Sequence, residues 1–359
     1  MKRHTKQSSK QKNGQYFTSN VSSLLKKYIS FIKDKDIIDP FCGNFDLLDW
    51  AMSNGAKSII GYDINPIRST TIKRDTLNEP PDYSRKFLLT NPPYLCSNKN
   101  KDKKIYKKYN TNDLYKCFLI SIINKVDEGI IILPSNFLSE SRDKIRNIFF
   151  SYYNIDICDY YYYSVFPSAT TGIVIFHFIK SDYCESRNID NFYIHYSRDK
   201  IIKESILLHK KYKWLYGKEF FEYIDGTEKI SVDKYIGGNK KYLSNIVVGL
   251  LDKGKWKQGL SYNESDPIVC GEKSFTTYQI VFPFKISEGS QIEIVKIFNE
   301  KMDYFRNKYH GLFLSNYMGA NQKIYSRDFI NKMIIKIMED LNIMKTEKES
   351  NEGLVFIQE

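Results

Sequence analysis

Short apolar runs alternate with segments of helical spacing along the first half of the chain. The apolar runs predict buried strands at positions 36–39, 58–63, 87–90 and 129–133. Apolar positions three and four residues apart predict helices at 21–32, 47–53 and 113–124. Strands and helices that alternate at this spacing predict an α/β fold with a parallel, doubly wound sheet, whose ligands bind at the carboxyl ends of the strands.

The pattern changes in the second half of the chain. Positions 155–163 and 172–180 predict an antiparallel pair that closes one edge of the sheet. Beyond about residue 182 the alternation is irregular until a predicted helix at 328–341. We therefore predict four parts, which are a disordered basic arm at 1–13, a first domain at 14–182, an α+β domain at 183–345 and a charged tail at 346–359.

One predicted strand runs directly into Asn91-Pro92-Pro93-Tyr94. A planar amine attacks a methyl donor only if both N–H groups are held out of plane, and two adjacent acceptors can do this. The Asn91 side-chain oxygen and the Pro92 carbonyl are such acceptors, since proline lacks an N–H but keeps its carbonyl. Tyr94 offers an aromatic face to a flat substrate. An ordinary turn that leaves a strand is the alternative interpretation.

Acidic residues lie at the ends of successive predicted strands. Asp39 opens the loop Asp39-Pro40-Phe41-Cys42-Gly43-Asn44, in which a glycine lets backbone amides approach a ligand. Asp63 follows 24 residues later, where an acid binds a ribose diol, and Asp75 comes next. Each acid alone fits a turn or a helix cap. Their order predicts one shared site for a nucleotide-like cofactor.

The ordered motifs over residues 14–180 resemble those of the gamma-class adenine DNA methyltransferases of restriction-modification systems. The resemblance implies a Rossmann-like fold with a seven-stranded mixed sheet, S-adenosylmethionine as the methyl donor, and a target-recognition role for the second domain. The motifs that carry it are Gly14-Gln15-Tyr16-Phe17-Thr18-Ser19, Asp39-Pro40-Phe41-Cys42-Gly43, Tyr62-Asp63-Ile64-Asn65-Pro66, Asn91-Pro92-Pro93-Tyr94, Asp113-Leu114-Tyr115, Ile132-Leu133-Pro134-Ser135-Asn136-Phe137-Leu138 and Val165-Phe166-Pro167.

The resemblance also implies a role for individual residues. Those expected at the donor are Phe17 and Thr18 over its methionine part, Asp39, Phe41 and Gly43 in the loop beneath it, Asp63 at its ribose and Asp75 at its adenine amino group. Those expected at the reacting base are Asn91, Pro92 and Tyr94 as the catalytic loop, with Pro93 and Phe178 against the base. No metal ion is required.

Two positions depart from the family pattern. Phe45 stands where a second glycine is usual, and a bulky side chain adopts a glycine-type backbone only at a cost. The departure predicts that the donor loop follows a different path. Thr76 stands after Asp75, where a hydrophobic residue is expected to contact the cofactor ring, and Leu77 is the candidate to make that contact instead.

The charge of the chain favours a polyanionic partner. Lys and Arg number 54 against 42 acidic residues, which gives a net charge of +12. Six lysines that follow Tyr94 predict contacts with the DNA backbone, and they are Lys99, Lys101, Lys103, Lys104, Lys107 and Lys108. Segments 253–258 and 317–323 combine basic, amide and aromatic groups suited to reading base edges. The alternative is a lysine-rich solvated surface that reflects a biased host composition.

Cysteine usage and hydropathy bear on the compartment. The six cysteines include no Cys-x-x-Cys pair, which suggests neither a zinc site nor a disulfide framework. The basic N-terminus lacks the apolar stretch of a signal peptide, and no apolar run approaches the roughly 20 residues of a membrane span. We expect a soluble protein of the cytoplasm, or of a nuclear or viral replication compartment, that is neither secreted nor bound to a membrane.

Together with the family resemblance, these features predict a sequence-specific adenine methyltransferase that acts on double-stranded DNA. The resemblance also implies a restriction endonuclease that cuts the same site as a functional companion. Two alternatives stay open. One is a methyltransferase for RNA or for a protein glutamine, which uses the same amine-binding loop, and the other is a catalytically silent DNA-binding protein, which the Phe45 departure favours.

Overall fold

A computed structural model describes most of the chain. The described ranges are 20–140, 144–166, 172–227, 232–235, 242–250, 259–264, 277–309 and 327–343. The predicted arm 1–13, the tail 346–359, Phe17, Thr18 and segments 253–258 and 317–323 lie outside them. The chain divides into two compact units after Tyr216.

The first unit contains α-helices and a large sheet. Its helices are α1 (Val21–Leu24), α2 (Ile29–Ile32), α3 (Asp46–Ser53), α4 (Lys104–Lys108), α5 (Leu114–Ile122) and α6 (Ile145–Phe150). Its strands are β1 (Asp36–Asp39), β2 (Ser58–Asp63), β3 (Ile72–Lys73), β4 (Phe87–Thr90), β5 (Glu128–Pro134), β6 (Tyr153–Tyr161), β7 (Ile173–Lys180), β8 (Ser186–His195) and β9 (Ile201–His209). Short 3₁₀ turns occupy Lys26–Tyr28, Ser97–Lys99, Ser135–Leu138 and Lys210–Tyr212.

Within the described residues the strands form one sheet in the order β3-β2-β1-β4-β5-β7-β6-β8-β9. The strands from β3 to β5 are parallel, and β7 is antiparallel to both of its neighbours. The predicted Rossmann-like α/β fold with a seven-stranded mixed sheet is confirmed, and two further strands extend it.

The prediction that the antiparallel pair closes an edge is wrong. β6 pairs with β8, and β9 follows on the far side of β8. Because β8 and β9 extend the sheet by edge-to-edge pairing, the first unit continues past residue 182 and ends at Tyr216.

Side chains that alternate along β7 show how the two faces of this sheet are covered. His177 stacks on Phe31 of α2, with ring centroids 4.0 Å apart. Phe176 and Phe178 instead contact Phe149 of α6, at 5.7 and 5.6 Å. Successive strand residues point to opposite faces, so helices lie on both sides of the sheet.

The predicted helix at 21–32 is interrupted. Leu25 has φ −102° and ψ 8°, which ends α1 and starts the 3₁₀ turn before α2. Leu25, Tyr28 and Ile32 are nevertheless fully buried. The periodicity of apolar residues therefore identified the buried face but not the break in the backbone.

The second unit is a smaller α+β assembly, as predicted for the C-terminal part. Its strands are β10 (Asp233–Lys234), β11 (Leu243–Gly249), β12 (Gly259–Tyr262) and β13 (Thr277–Val281), in the antiparallel order β10-β13-β11-β12. Its helices are α7 (Lys218–Tyr223), α8 (Glu288–Lys308) and α9 (Arg327–Asp340). A role for this unit in target recognition stays a prediction.

A side chain of α8 binds the outermost described strand of this sheet. The Asn299 amide accepts from the Leu260 N–H at 3.0 Å and donates to the Leu260 carbonyl at 2.9 Å. These are the bonds that a neighbouring strand would make. Across the described ranges, no helix is long and apolar enough to cross a bilayer.

Candidate active site

A cavity of about 480 Å³ lies where β1, β2 and β4 end. This volume is typical of sites for cofactor-sized ligands. Its wall includes five of the predicted donor residues, which are Asp39, Phe41, Gly43, Asp63 and Asp75, together with the predicted catalytic residue Asn91 and the predicted base contact Pro93. The structure thus brings these residues to one site, while their roles in binding stay predictions. The other two predicted catalytic residues, Pro92 and Tyr94, do not line it.

The loop after β1 is fixed by backbone amides. The Cys42 N–H donates to the Tyr62 carbonyl at 2.9 Å, and the Gly43 N–H donates to Asp63 Oδ2 at 3.1 Å. Gly43 has φ 47°, a left-handed conformation that glycine adopts without a Cβ clash. The loop is therefore tied to β2 and to the acid at its end.

Phe45 corrects the expectation that this loop takes a different path. Its φ of 77° and ψ of 8° are left-handed, so a phenylalanine holds a glycine-type conformation here. The side chain is 5% exposed and belongs to the core between the sheet and α1 to α3. The Arg68 guanidinium carbon lies 5.1 Å from the centre of its ring. Packing beneath the loop offsets the backbone strain.

The two further acids are also held by hydrogen bonds. Asp63 Oδ1 accepts from the Asn65 N–H at 2.7 Å, and Asp75 accepts from the Asn78 side-chain amide at 2.7 Å. The Thr76 hydroxyl donates to the Pro40 carbonyl at 2.9 Å, which ties this segment to the donor loop. Leu77 also lines the cavity, as the sequence analysis suggested.

Asp39 is the buried acid at the end of β1. Burial raises its pKa from the usual 3.8 to about 7, and the nearby Asp63 charge adds to the rise. Hydrogen bonds from the Thr90 hydroxyl at 2.6 Å and the Phe41 N–H at 2.9 Å oppose it. Asp39 therefore exchanges a proton near neutral pH, unlike an ordinary aspartate.

The Tyr94 hydroxyl fixes the side-chain amide of Asn91. Its oxygen lies 2.5 Å from Asn91 Oδ1 and 2.8 Å from the Ile132 carbonyl oxygen. A phenol has one proton and donates only one of these bonds. Both contacts are satisfied if the Asn91 amide is flipped, so that its oxygen and nitrogen exchange places. The amide nitrogen then donates to the Tyr94 hydroxyl, and that hydroxyl donates to the Ile132 carbonyl. That arrangement places the Asn91 oxygen on the branch away from Tyr94.

Asp113 holds the chain that follows Tyr94, a contribution that our sequence analysis did not assign. Its carboxylate accepts from the Leu95 N–H at 3.1 Å and from the Cys96 thiol at 2.9 Å. Burial raises the pKa of Asp113, although these bonds and Lys116 oppose the rise. The Asp113-Leu114-Tyr115 motif was the sequence signal for this residue.

The assignment of Phe178 to the substrate base is wrong. Phe178 is fully buried on the α6 side of β7 and pairs with Gly129 near the start of β5, the end of the sheet opposite the cavity. Phe178 therefore cannot contact a ligand bound in the cavity. The sequence places an aromatic residue on a strand but does not say at which end the site lies.

The lysine segment is more structured than a loop. It comprises the 3₁₀ turn Ser97–Lys99 and the helix α4, and all six lysines are exposed. Lys104 also lines the cavity. The Lys108 ammonium donates to the Leu77 and Asn78 carbonyls, each at 3.1 Å, while its contact with a phosphate stays a prediction.

No protein-family model and no curated protein matches this sequence. Among solved structures, a modification subunit of a putative type I restriction enzyme from Vibrio vulnificus YJ016 is 16% identical, with a TM-score of 0.42 over 53% of this chain and 49% of that chain. The type I restriction enzyme EcoKI M protein is 16% identical, with a TM-score of 0.37 over 51% and 48%. A putative RNA methyltransferase from Pyrococcus horikoshii is 16% identical, with a TM-score of 0.34 over 47% and 88%. This chain spans about half the length of the two restriction-enzyme proteins.

Proposed function

We propose that this protein transfers a methyl group from S-adenosylmethionine to the exocyclic amine of adenine in double-stranded DNA. One observation carries the proposal. Asn91, from the loop that suits amine activation, lines the same cavity as the strand-end acids Asp39, Asp63 and Asp75. A donor site and an amine-binding group that share one cavity are the minimum that methyl transfer requires.

The charge of the cavity fits the proposed donor. Its lining contains five carboxylates, Asp39, Asp46, Asp63, Asp75 and Asp102, against the cations Arg74 and Lys104. S-adenosylmethionine carries a sulfonium and an ammonium group, so acidic walls favour its binding. Asp63 would hold the ribose hydroxyls, and Asp75 would accept from the adenine amino group. When bound, the donor supplies an electrophilic methyl carbon.

The chain's own residues would prepare the target amine. Asn91 and Pro92 accept its two N–H groups and hold the nitrogen lone pair toward the donor site, so most of the rate gain is positional and electrostatic. A base stacked in a duplex cannot reach the cavity and must be flipped out. Tyr94, three residues after Asn91, is the proposed stacking partner of the flipped base.

The nucleic-acid partner is proposed from charge. The exposed residues Lys99, Lys101, Lys103 and Lys107 follow the proposed catalytic loop and would contact phosphates. We assign reading of the base sequence to the second unit. A restriction endonuclease that cuts the same site is the proposed functional companion.

The direct test is transfer of a labelled methyl group to unmodified duplex DNA, with RNA and protein acceptors assayed in parallel. We expect the label on adenine of duplex DNA. Label only in RNA or protein would assign the same site to a different acceptor. Binding of duplex DNA without transfer to any acceptor would instead favour a catalytically silent DNA-binding protein.

Donor affinity should depend on pH through Asp39. Its pKa is about 7, so the carboxyl is largely neutral at pH 6 and ionised at pH 8. A cationic ligand favours the ionised form, and linkage of one proton gives about a tenfold gain in affinity from pH 6 to pH 8. Isothermal titration calorimetry across this range would measure the gain.

The Asp39→Asn variant is the control for this pH dependence. It keeps an acceptor for the Phe41 N–H but does not titrate, so its affinity should vary less with pH than that of the wild type. The amino group of the ligand titrates in the same way in both experiments, so its effect on affinity cancels when the two proteins are compared. Equal pH profiles for the two proteins would show that Asp39 does not face the donor's charge.

A further inference from the structure

Two consecutive side chains at the end of α4 bind the same backbone segment of the cavity wall. The Lys108 ammonium donates to the Leu77 and Asn78 carbonyls at 3.1 Å each. The Tyr109 hydroxyl donates to the Leu77 carbonyl at 2.7 Å. Three donated bonds therefore converge on two neighbouring peptide groups.

The bound segment is a single helical turn that begins at Asp75. The N–H groups of Asn78 and Glu79 donate to the Asp75 carbonyl, at 3.1 and 2.8 Å. The last carbonyls of such a turn have no partner inside it. Lys108 and Tyr109 supply those partners, as basic side chains do at helix carboxyl ends. The turn that presents Asp75 to the cavity is thus held from outside by α4.

The same stretch of chain also forms part of the cavity wall. Asn100, Asp102, Lys104 and Ile105 line the cavity, as do Asp75 and Leu77 of the bound turn. The contacts of Lys108 and Tyr109 consequently set the distance between the lysine segment and the turn at 75–79. A change at either residue alters the shape of the cavity without removing a group that lines it, since neither is in its lining.

We propose that Lys108 and Tyr109 are positioning residues that shape the adenine end of the donor pocket, and that Lys108 does not act as a phosphate contact. This inference rests on the proposed function, because it takes the cavity to be the donor site. It separates the six lysines of one segment into two roles. Lys108 is exposed like the other five, and its two bonds to backbone carbonyls are what set it apart.

The test compares Lys108→Met with Lys107→Met in the full-length protein. Both substitutions remove one positive charge from the same short helix and keep the length of the stem. We expect Lys108→Met to weaken the binding of S-adenosylmethionine and of adenosine about fivefold each, the effect of losing roughly one net hydrogen bond. Calorimetric titration of each ligand measures these affinities, and Lys107→Met should leave both unchanged.

Adenosine distinguishes positioning of the adenine end from a general loss of structure. Tyr109→Phe removes the third bond and should weaken adenosine and S-adenosylmethionine by a similar factor, with the thermal midpoint of the ligand-free protein little changed. Binding to a duplex DNA probe should weaken in Lys107→Met, with a shallower salt dependence. Lys108→Met should weaken DNA binding less than Lys107→Met does, because the lost charge is not expected to contact a phosphate.

Three outcomes would overturn the proposal. Unchanged donor affinity in Lys108→Met together with weakened DNA binding would make Lys108 a phosphate contact after all. Loss of S-adenosylmethionine binding with unchanged adenosine binding would place the effect at the methionine end. Failure of the wild type to bind either ligand would reject the donor site itself and, with it, the proposed function, whereas wild-type binding without methyl transfer would leave the positioning role intact.

Discussion

Replacing Asn91 with alanine is expected to lower kcat for methyl transfer by a factor on the order of 10²–10³, the usual effect of losing one preorganised hydrogen-bonding group at a reacting centre. The side-chain amide lies at the cavity, where Tyr94 and Ile132 fix its orientation. Without it only the Pro92 carbonyl would hold the amine. Donor affinity should be little changed, because the acids of the cavity remain. Single-turnover transfer and donor titration measure the two effects separately.

Asn100→Ala is the matched control for Asn91→Ala. Asn100 also contributes a side-chain amide to the same cavity, but its amide donates to the Tyr106 hydroxyl at 3.2 Å and has no proposed role at the amine. We expect its rate to stay near that of the wild type. Equal losses in the two variants would indicate that any damage to the cavity stops transfer, which would remove the special role of Asn91.

At Phe45 the glycine variant should be more stable than the alanine variant, the reverse of the order expected inside a helix. Phe45→Ala removes a buried ring and is expected to cost about 3–5 kcal/mol of the free energy of unfolding. Phe45→Gly removes the same ring but relieves the left-handed strain at φ 77°, which is worth about 1 kcal/mol. The glycine variant should therefore be more stable than the alanine variant. Urea denaturation of the three proteins measures the order.

Leu48 provides the reference for that comparison. It is fully buried in α3 and belongs to the same core cluster as Phe45. In a helix alanine is favoured over glycine by about 1 kcal/mol, so Leu48→Ala should be more stable than Leu48→Gly. The same order at Phe45 would contradict the left-handed conformation assigned to it.

The strand positions were accessible from sequence because burial on both faces leaves a continuous apolar run. The predicted limits of 36–39, 58–63 and 87–90 coincide with β1, β2 and β4. Acids and an amide that directly follow such strands lie at one edge of a parallel sheet, so the meeting of Asp39, Asp63 and Asn91 also followed from the pattern. Their chemistry still depends on the experiments above.

Other features depend on tertiary contacts that a local pattern does not contain. The left-handed Phe45 is tolerated because a core lies beneath it, and its neighbours come from distant parts of the chain. Phe178 has a suitable side chain but lies at the wrong end of its strand, which only the register with β5 reveals. Lys108 looked like its neighbours in sequence, and its carbonyl partners are about 30 positions away.

Asn299 has a consequence for how the second unit can meet other molecules. By occupying both backbone groups of Leu260, its amide closes the outer side of β12 at that residue to an incoming strand. A strand from another copy therefore cannot pair with the sheet through these two backbone groups. A partner that meets β12 at Leu260 contacts the Asn299 side chain instead of a free peptide group.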